Sequence, residues 1–388
     1  MISKNKIKKK VYFLSGKRGG YDALLPLMKE LSKLKYIDSK IILTDQHLLS
    51  TFGQTSRLVS KEFKKKNIIK IQINQKNSSN KERLNSMAIL IKKLTTFLLK
   101  DKPNLLIVYG DRAESVIAGF VCINLDVPLC HFQGGDLSGN IDEKFRHILT
   151  KMSDLHFPSN QISRRRILQL GESPKYVLNI GDSHIDALKK VKFNKQKILK
   201  KYLMKKDEKY CVLLFHPDGT SLKKNKMYIK TIINSLKQFD LKVICVYPCT
   251  DIGYESIIDI LNKLKNKNKF KVYPNIIYSD FINLLKYSKF FIGNSSSGII
   301  ESPYLKVPFI NLGDRQKNRL KSQNVIESNI EFKNILRSIK VALSKKFQQN
   351  MKNLELYYGK GDSYKIAIKN ILKNLDKIDL NKKFNEIK

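Results

Sequence analysis

The chain has 388 residues, of which 42% are hydrophobic and 9% aromatic, and these values exclude wholesale disorder. Such a length predicts two domains, because a single hydrophobic core stops growing well below this size. The formal net charge of +40 raises the hypothesis of a nucleic-acid-binding protein. The excess is lysine spread along the chain with asparagine and isoleucine, while arginine is scarce, so we expect no nucleic-acid partner.

Five cysteines are scattered along the chain, mostly in predicted apolar strands. This pattern is typical of reduced, buried thiols in a cytoplasmic protein and indicates neither a disulfide framework nor a metal site. The basic residues 1–10 are followed by an apolar run that is too short for a signal-peptide core or a membrane span. We therefore expect a cytoplasmic protein without a membrane partner.

The N-terminal half alternates predicted strands and helices, which is typical of a doubly wound α/β domain. Its first loop carries Lys17 and Arg18 at the carboxyl end of the first strand. Cations at the start of a helix favour an anion there, although a simple tight turn is the alternative. The predicted strands are 11–14, 40–43, 68–73, 104–109 and 176–180, and the predicted helices are 23–34, 85–100, 116–125 and 141–157.

Asp111 and Arg112 lie where the strand at 104–109 turns into the next helix. The carboxyl ends of parallel strands meet at one edge of a sheet and build ligand sites there. Capping of the helix by Asp111 explains the same placement equally well.

Residues 128–147, PLCHFQGGDLSGNIDEKFRH, concentrate ionisable side chains around a Gly-Gly break. An acid and a base four residues apart on a helix are neighbours, and the helix that follows the break carries two such pairs. A turn flanked by helix-surface ion pairs is the structural alternative, but a catalytic loop is favoured. The loop and the following helix supply Asp136, Asn140, Asp142, Glu143, Arg146 and His147.

The strand–helix alternation restarts after a strongly basic segment at 188–208, which predicts a linker between domains at 1–187 and 209–360. In the second half, GNSSSG at a predicted strand-to-helix turn combines backbone N–H groups, hydroxyls and a helix end into a phosphate cradle. A serine-rich helix cap is the alternative. Glu301, in the helix predicted to run to residue 305, could accept two vicinal sugar hydroxyls, and Arg315 could reach the same phosphates.

Together these motifs resemble the UDP-N-acetylglucosamine 2-epimerases, most closely their hydrolysing branch, which serves the synthesis of sialic- and legionaminic-acid-type sugars. The run from the Gly-Gly break to His147 favours that branch over the non-hydrolysing epimerases. The matching segments follow in order from residue 15 to about residue 320: Arg18 with Tyr21, HLLSTFGQT, GDRAE, HFQGGDLSGNIDEKFRH, VLNIGD, HPD, GNSSSGIIE and PFINLGDRQKNR.

The resemblance implies an α/β fold of two Rossmann-like domains facing across a cleft, as in GT-B glycosyltransferases, with residues 361–388 returning to the N-terminal domain. It implies that the nucleotide binds mainly to the C-terminal domain and the sugar to the N-terminal domain. By the same resemblance, the catalytic candidates are Asp111, Asp142, Asp136 and His216, and the substrate-binding candidates are Arg18, Arg112, Gln133, Arg146, His147, Asn294, Ser295, Ser296, Glu301 and Arg315.

The implied reaction removes the proton from sugar C2, expels the nucleoside diphosphate from C1 and adds water to the resulting glycal, releasing an N-acetylmannosamine-type sugar. Because that C–H is not acidic, stabilisation of the leaving group has to carry much of the catalysis. Carboxyl groups are needed for the proton transfers. No cofactor and no metal is called for. The expected partner is the nucleotide sugar, with UDP or GDP, the substituents at C4 and C6, and association of identical copies left open.

Three positions depart from the family pattern. Gln133 stands where many members carry a glutamate, and a glutamine cannot accept a proton, so Asp136, or Asp142 with Glu143, is a candidate for that role. Cys249 stands where an asparagine is common, and the segment around Tyr21 also differs. The alternatives to a hydrolysing epimerase are a non-hydrolysing one, a glycosyltransferase of the same shape and, least favoured, a nucleic-acid-binding protein.

Overall fold

Two parallel six-stranded sheets form the framework of the protein, in a computed structural model that describes residues 8–77, 79–139, 141–218, 221–265 and 267–386. Asn140 of the predicted catalytic loop and residues 1–7 of the basic N-terminal run lie outside these residues. The strands are β1 (Lys9–Ser15), β2 (Ile37–Leu43), β3 (Ile68–Lys70), β4 (Leu105–Tyr109), β5 (Leu129–Phe132), β6 (Leu155–Phe157), β7 (Tyr210–Leu214), β8 (Lys242–Val246), β9 (Phe270–Tyr273), β10 (Phe291–Gly293), β11 (Phe309–Leu312) and β12 (Val325–Ser328).

The two sheets have the same topology. The first has the order β3-β2-β1-β4-β5-β6 and the second the order β9-β8-β7-β10-β11-β12, so each is a Rossmann-type sheet in which the strand order reverses at a central pair. Central strands such as β4, LLIVY, are buried along their whole length, because helices cover both faces of a parallel sheet and only continuous apolar runs suit such strands.

Helices cover both faces of each sheet and complete the predicted α/β fold class, which is confirmed. They are α1 (Arg18–Lys33), α2 (Ser56–Glu62), α3 (Asn80–Lys100), α4 (Ala113–Asn124), α5 (Asp142–Met152), α6 (Gln161–Gln169), α7 (Ser183–Lys189), α8 (Lys195–Lys201), α9 (Leu222–Lys237), α10 (Tyr254–Asn262), α11 (Tyr278–Tyr287), α12 (Ser297–Ile300), α13 (Ser302–Leu305), α14 (Phe332–Leu343), α15 (Lys345–Asn350) and α16 (Ser363–Asn374).

The last helix, α16, returns to the N-terminal sheet. Its Ala367 and Ile371 are fully buried in one hydrophobic cluster with Leu24 and Leu27 of α1. Full burial of an isoleucine such as Ile371 contributes about 1.5–3 kcal/mol, which favours the packing of the C-terminal segment against the opposite half of the chain. Within the part of the chain that the structure describes, none of the helices combines the length and apolar composition needed to cross a membrane.

Four local predictions are wrong. The helix that starts near residue 141 ends at Met152 instead of continuing to 157, since Ser153 is extended and 155–157 form strand β6. The predicted strand at 176–180 is replaced by a 3₁₀ turn at Pro174–Tyr176 and a single bridge from Val177 to His156. The loop after the first strand is shorter than predicted, because α1 begins at Arg18 and already contains Gly19 and Gly20.

The fourth difference is in the second half, where the helix predicted to run to residue 305 is divided into α12 and α13 at Glu301. The predicted linker at 188–208 contains α8, whose Ile198 and Leu199 are buried in the core of the C-terminal half. The domain boundary itself stays a prediction.

Candidate active site

A polar cleft lies between the carboxyl edges of the two sheets, and it encloses about 990 Å³ of empty space with its open mouth included. Its walls are loops that follow β1, β4 and β5 on one side and β7, β8, β10 and β11 on the other. Ligands of open α/β sheets bind at this edge, next to the strands where the order reverses.

Nine of the predicted site residues line the cleft. From the N-terminal half they are Arg18, Asp111, Gln133, Asp142 and Arg146, and from the C-terminal half they are His216, Ser295, Ser296 and Arg315.

Asp111 is held as an anion by an arginine. The guanidinium of Arg146, which is fully buried, forms an ion pair with its carboxylate. Burial alone would raise the pKa of Asp111, but the charge of Arg146 holds this pKa well below its usual range. Arg112, not Asp111, is the capping residue of α4, so the helix-capping alternative is excluded. Arg146 also donates to the backbone oxygen of Asp136 at 2.6 Å, which anchors the catalytic loop.

Asp142, in the first turn of α5, has the opposite tendency. Burial raises its pKa, and the carboxylates of Asp111 and Asp251 raise it further. Its Oδ2 lies 3.5 Å from Nη2 of Arg315, across the cleft. Two neighbouring carboxyl groups with pKa values displaced in opposite directions are the arrangement that supplies a base and an acid at one pH. The cleft therefore contains a chemically differentiated carboxyl pair.

The C-terminal wall offers hydroxyls, backbone N–H groups and an arginine. Ser295, Ser296 and Ser297 follow β10, and the Ser295 hydroxyl accepts a hydrogen bond from the backbone of Ser297 at 3.3 Å. The turn requires a glycine at 293, where φ is +145° and a Cβ would lie 1.9 Å from the backbone oxygen of Leu214. Backbone donors and Arg315 in one concave wall suit a diphosphate.

His216 lies at the junction of this wall with the loop after β8. Burial, and then the charge of Arg315, hold its pKa well below the usual value. The ring is therefore neutral at pH 7, and its Nδ1 accepts a hydrogen bond from the backbone of Cys249 at 3.0 Å. The Asn294 side chain bonds to the backbone of His216 in both directions, at 2.7 and 3.0 Å. Asn294 is thus buried behind the wall and positions it.

Five predicted site residues do not line the cleft, and Arg112 is the clearest case. Its guanidinium is buried between the two halves of the chain, where it pairs with Asp251, with Asp45 at 3.3 Å and with the Thr250 hydroxyl at 3.0 Å. With these partners Arg112 joins the two domains instead of facing a ligand.

The other four are Asn294, described above, and Asp136, His147 and Glu301. The Asp136 carboxylate accepts hydrogen bonds from Ser163 and Asn160 at the start of α6. His147 is half-buried on α5, with a lowered pKa caused by burial and Arg146. Glu301 is 1% exposed, and burial raises its pKa, so direct contact of its carboxyl group with a ligand requires a local rearrangement.

Gln133 lines the cleft in an uncommon backbone conformation, with φ of 64°. Its amide donates to Oδ2 of Asp182 at 2.8 Å. A glutamate at this position would place two carboxylates against each other, so the glutamine is matched to Asp182. Asp136 does not itself line the cleft. Its Oδ1 is bonded at the start of α6, and its Oδ2 lies 3.9 Å from Nε of Arg319, which does line the cleft, so its role in place of the missing acid stays a prediction.

Several cleft residues were not predicted. Arg319 lies within a recognised motif and pairs with Asp111 at 4.0 Å, so the spacing after Arg315 was an available signal. Tyr109 is the last residue of a buried strand, and His184 is in a later helix, and neither has a local pattern that marks it. Other lining residues that were not among the predicted site residues include Gln46, Ser138, Tyr247, Pro248, Ser297 and Gln316.

Gly139, in the predicted catalytic loop, is a point of close contact between the two halves of the chain. The backbone N–H of Gly139 donates to the oxygen of Arg315 at 3.4 Å, and a Cβ on Gly139 would lie 2.1 Å from the oxygen of Asp314. Only a residue without a side chain allows this approach.

Across the described ranges, no group of three or more His, Cys, Asp or Glu side chains is placed to hold a metal ion.

Comparisons with known proteins agree with this architecture. A family model described as UDP-N-acetylglucosamine 2-epimerase matches residues 29–373. The GDP/UDP-N,N'-diacetylbacillosamine 2-epimerase (hydrolyzing) of Campylobacter jejuni is 36% identical over 348 residues, which cover 88% of this chain and 90% of the relative. The polysialic acid biosynthesis protein P7 of Escherichia coli is 32% identical, over 87% of each chain.

Among solved structures, the UDP-GlcNAc 2-epimerase of Neisseria meningitidis bound to UDP-GlcNAc superposes with a TM-score of 0.79. The match covers 94% of this chain and all of that one, at 23% identity. At this identity the likeness shows the fold alone.

Proposed function

The chain belongs to the UDP-N-acetylglucosamine 2-epimerase family, and from that premise we propose that it is a hydrolysing nucleotide-sugar 2-epimerase. It converts a UDP- or GDP-linked 2-acetamido sugar and water into a free N-acetylmannosamine-type sugar and a nucleoside diphosphate. The observation that carries this proposal is the carboxyl pair Asp111 and Asp142, with pKa values displaced in opposite directions, in one cleft with the hydroxyl and guanidinium donors of the C-terminal wall.

The reaction proceeds by elimination and then hydration. A base removes the C2 proton, the electrons of that C–H bond form the C1–C2 double bond, and the C1–O pair leaves with the nucleoside diphosphate. Water then adds hydroxyl at C1 while C2 receives a proton from the other face, which inverts C2 and gives the free sugar.

The charge states support an assignment of roles for the two carboxyl groups. Asp111, which Arg146 holds as an anion, acts as the base, and Asp142, whose pKa is raised by burial and by two nearby carboxylates, acts as the acid. Asp142 also lies beside Arg315, at the junction where the sugar meets the diphosphate. Because the C2 proton is not acidic, departure of the diphosphate has to be assisted by the donors of the C-terminal wall, Ser295, Ser296 and Arg315.

The names of the relatives guide the choice of sugar. The Campylobacter jejuni relative is named for a diacetamido sugar on GDP or UDP, and the Escherichia coli relative for polysialic acid biosynthesis. We propose that the donor is UDP-N-acetylglucosamine or a UDP- or GDP-linked diacetamido analogue. The five cysteines are free and buried, and this supports a cytoplasmic site of action, where thiols stay reduced.

A donor screen tests the proposal. The protein is incubated with each of these nucleotide sugars, and products are followed by proton NMR in D₂O. A hydrolysing epimerase releases free nucleoside diphosphate and a manno-configured sugar that carries deuterium at C2. A nucleotide-linked manno product would identify a non-hydrolysing epimerase, and consumption only with an acceptor and without inversion at C2 would identify a glycosyltransferase. If no donor is consumed, the proposal is wrong.

A further inference from the structure

A buried histidine–carboxylate pair borders the cleft outside the predicted site. Asp182 caps α7 and accepts a hydrogen bond from the backbone of His184 at 2.9 Å, and His184 Nδ1 lies 2.8 Å from the same carboxylate. The carboxylate also accepts from Gln133 at 2.8 Å and from the Tyr109 hydroxyl at 3.0 Å. With four donors around it, Asp182 is ionised, and its acceptor-only oxygens require that Nδ1 of His184 carries a proton.

The other ring nitrogen has no such partner. His184 lines the cleft, and its Nε2 makes no hydrogen bond to any of the residues that the structure describes. Nδ1 is occupied by Asp182 and by the Tyr109 hydroxyl, each at 2.8 Å, so Nε2 is the ring nitrogen available to a ligand. A histidine oriented through one nitrogen by a buried carboxylate presents the other in a fixed direction.

The position of His184 along the cleft indicates which part of a ligand it meets. Through Asp182 it is linked to Gln133, on the sugar side. On the other side its backbone oxygen accepts from the Tyr278 hydroxyl at 3.0 Å. The charge of Glu301, the residue predicted for the ribose, acts on both Tyr278 and His184. In a nucleotide sugar the diphosphate lies between the sugar and the ribose. The diphosphate is therefore the part of the ligand that we expect next to His184.

We propose that His184, positioned by Asp182, is a substrate-binding residue whose Nε2–H donates to the diphosphate and stabilises it as it leaves. The proposal rests on the function proposed above, because it deepens the account of the same cleft. In this proposal His184 and Asp182, from the N-terminal half, help to stabilise the leaving group together with Ser295, Ser296 and Arg315 of the C-terminal wall.

The electrostatic surroundings agree with a cationic ring. Burial lowers the pKa of His184, but the carboxylates of Glu301 and Asp182 outweigh burial and bring it to about 9. The imidazolium is therefore the main form at pH 7, and it is lost as the pH rises through about 9. The charged or titratable groups that face it are Asp182 on its own helix, Asp22 with its partner Arg18 on α1, Tyr109 on β4, Tyr278 on α11 and Glu301 between α12 and α13.

The test is the affinity for UDP and GDP, measured by titration calorimetry between pH 7 and pH 10 with the wild type and His184→Gln. Glutamine keeps an uncharged N–H donor of similar reach. At pH 7 we expect about 10- to 100-fold weaker binding, the range for loss of a charge-assisted hydrogen bond. The ratio of wild-type to variant affinity should fall to one or below at pH 10, because the neutral wild-type ring keeps its one proton on Nδ1 and no longer donates from Nε2, whereas the glutamine still donates. Ionisation of the nucleobase affects both proteins equally and cancels in this ratio.

Two further variants keep the test decisive. Asp182→Asn retains a helix cap but removes a carboxylate that raises the pKa of His184. The pH at which nucleotide affinity falls should therefore move from about 9 in the wild type toward neutral pH in this variant. His156→Gln is the matched control, since His156 is also buried against a carboxylate, Glu172 at 3.1 Å, but is not part of the cleft lining. Its nucleotide affinity should equal that of the wild type.

The outcomes separate the two proposals. If folded His184→Gln binds as tightly as the wild type at every pH, or with a ratio that does not change with pH, His184 is only structural and the inference is wrong. If the wild type binds nucleoside diphosphates with the expected pH-dependent ratio but hydrolyses no donor, the proposed function fails while the inference stands. Absence of any nucleotide binding by the wild type overturns both.

Discussion

At the scale of single residues, the cleft depends on how buried charges are paired. Arg146 neutralises Asp111, whereas Asp142 lies near two carboxylates, Asp111 and Asp251. The pKa values of two aspartates are thereby displaced in opposite directions although their intrinsic chemistry is identical. The distinction comes from neighbours on other strands and helices, so it belongs to the folded site and not to the residues themselves.

Asparagine at either position tests the assigned roles. We expect Asp111→Asn and Asp142→Asn each to lower kcat by about 100-fold or more, because an amide can neither accept nor donate the proton in the transition state. Nucleoside diphosphate affinity should stay within a few-fold of the wild type. Product release is followed by NMR and binding by calorimetry. Loss of binding by both variants together with loss of turnover would mean that the two carboxyl groups are structural.

The serine cradle makes a complementary prediction. Ser296→Ala removes one hydroxyl from the C-terminal wall, so we expect about 5- to 10-fold weaker binding of the product nucleotide, as is typical for one hydrogen bond. Ser32→Ala, on the exposed face of α1, is the control and should bind like the wild type. Affinity is measured by calorimetry at one salt concentration. An unchanged affinity of Ser296→Ala would remove this hydroxyl from the phosphate site.

At the scale of elements, the C-terminal segment is fastened to the N-terminal half by a buried carboxylate. Glu172 is 1% exposed and pairs with Lys151 at 2.8 Å, with Lys382 at 2.9 Å and with His156. Lys382 also donates to the backbone oxygens of Lys151 and Ser153, at the end of α5. One carboxylate therefore ties α5, β6 and the last residues of the chain together.

Glu172→Gln should destabilise the protein at neutral pH by about 1–3 kcal/mol, the range for hydrogen bonds to a charged group. Burial opposes the shift, but His156, Lys151 and Lys382 lower the pKa of Glu172 to about 2 from 4.5. A depressed pKa gives stability that is present above the unfolded value and lost as the pH falls through the folded one. The difference between the two proteins should therefore shrink between pH 4.5 and about 2.

Urea unfolding at a series of pH values measures this difference. The control is Glu386→Gln, which replaces another carboxylate near the end of the same segment. It should leave the free energy of unfolding unchanged. A wild-type advantage that persists unchanged at pH 2 would contradict the assignment of this stability to the Glu172 carboxylate.

At the scale of the whole molecule, the cleft exists because two similar sheets are held edge to edge. Arg112 reaches from the first half to Asp251 and Thr250 of the second, and Arg83 donates to the backbone oxygen of Thr250 at 3.2 Å. On the other side of the cleft Gly139 lies against Asp314 and Arg315. These contacts set the distance between the carboxyl pair and the phosphate wall.

Gly139→Ala tests this dependence. The added Cβ would overlap the backbone oxygen of Asp314, so the two halves have to separate. We expect KM to rise and kcat to fall by about 10-fold or more, because catalysis requires both walls at once. Small-angle scattering should show a larger radius of gyration. Gly19→Ala, whose Cβ would meet nothing within 4 Å, should leave the radius unchanged. Equal radii for Gly139→Ala and the wild type would contradict the prediction.

Much of this protein follows from local patterns. Apolar runs followed by glycine loops predict parallel strands, and the carboxyl ends of parallel strands share one edge, so Ser295 and Arg315 were expected at the same edge of one sheet. That Asp111 of the other domain faces them across a cleft was implied by the family resemblance. The family resemblance and the return of the C-terminal helix were likewise readable from motif order. Such features depend on spacing along the chain, which sequence displays directly.

Tertiary structure alone decided which charged side chains face the ligand. Arg112 and Arg146 were both predicted to bind the substrate, yet one joins the two halves of the chain and the other pairs with Asp111, because each guanidinium pairs with the acids that folding brings near it. Glu301 was buried at a break between two short helices, and His184 was brought to the cleft from a helix without a motif. Burial and long-range pairing set these outcomes, and neither is visible in the spacing of residues along the chain.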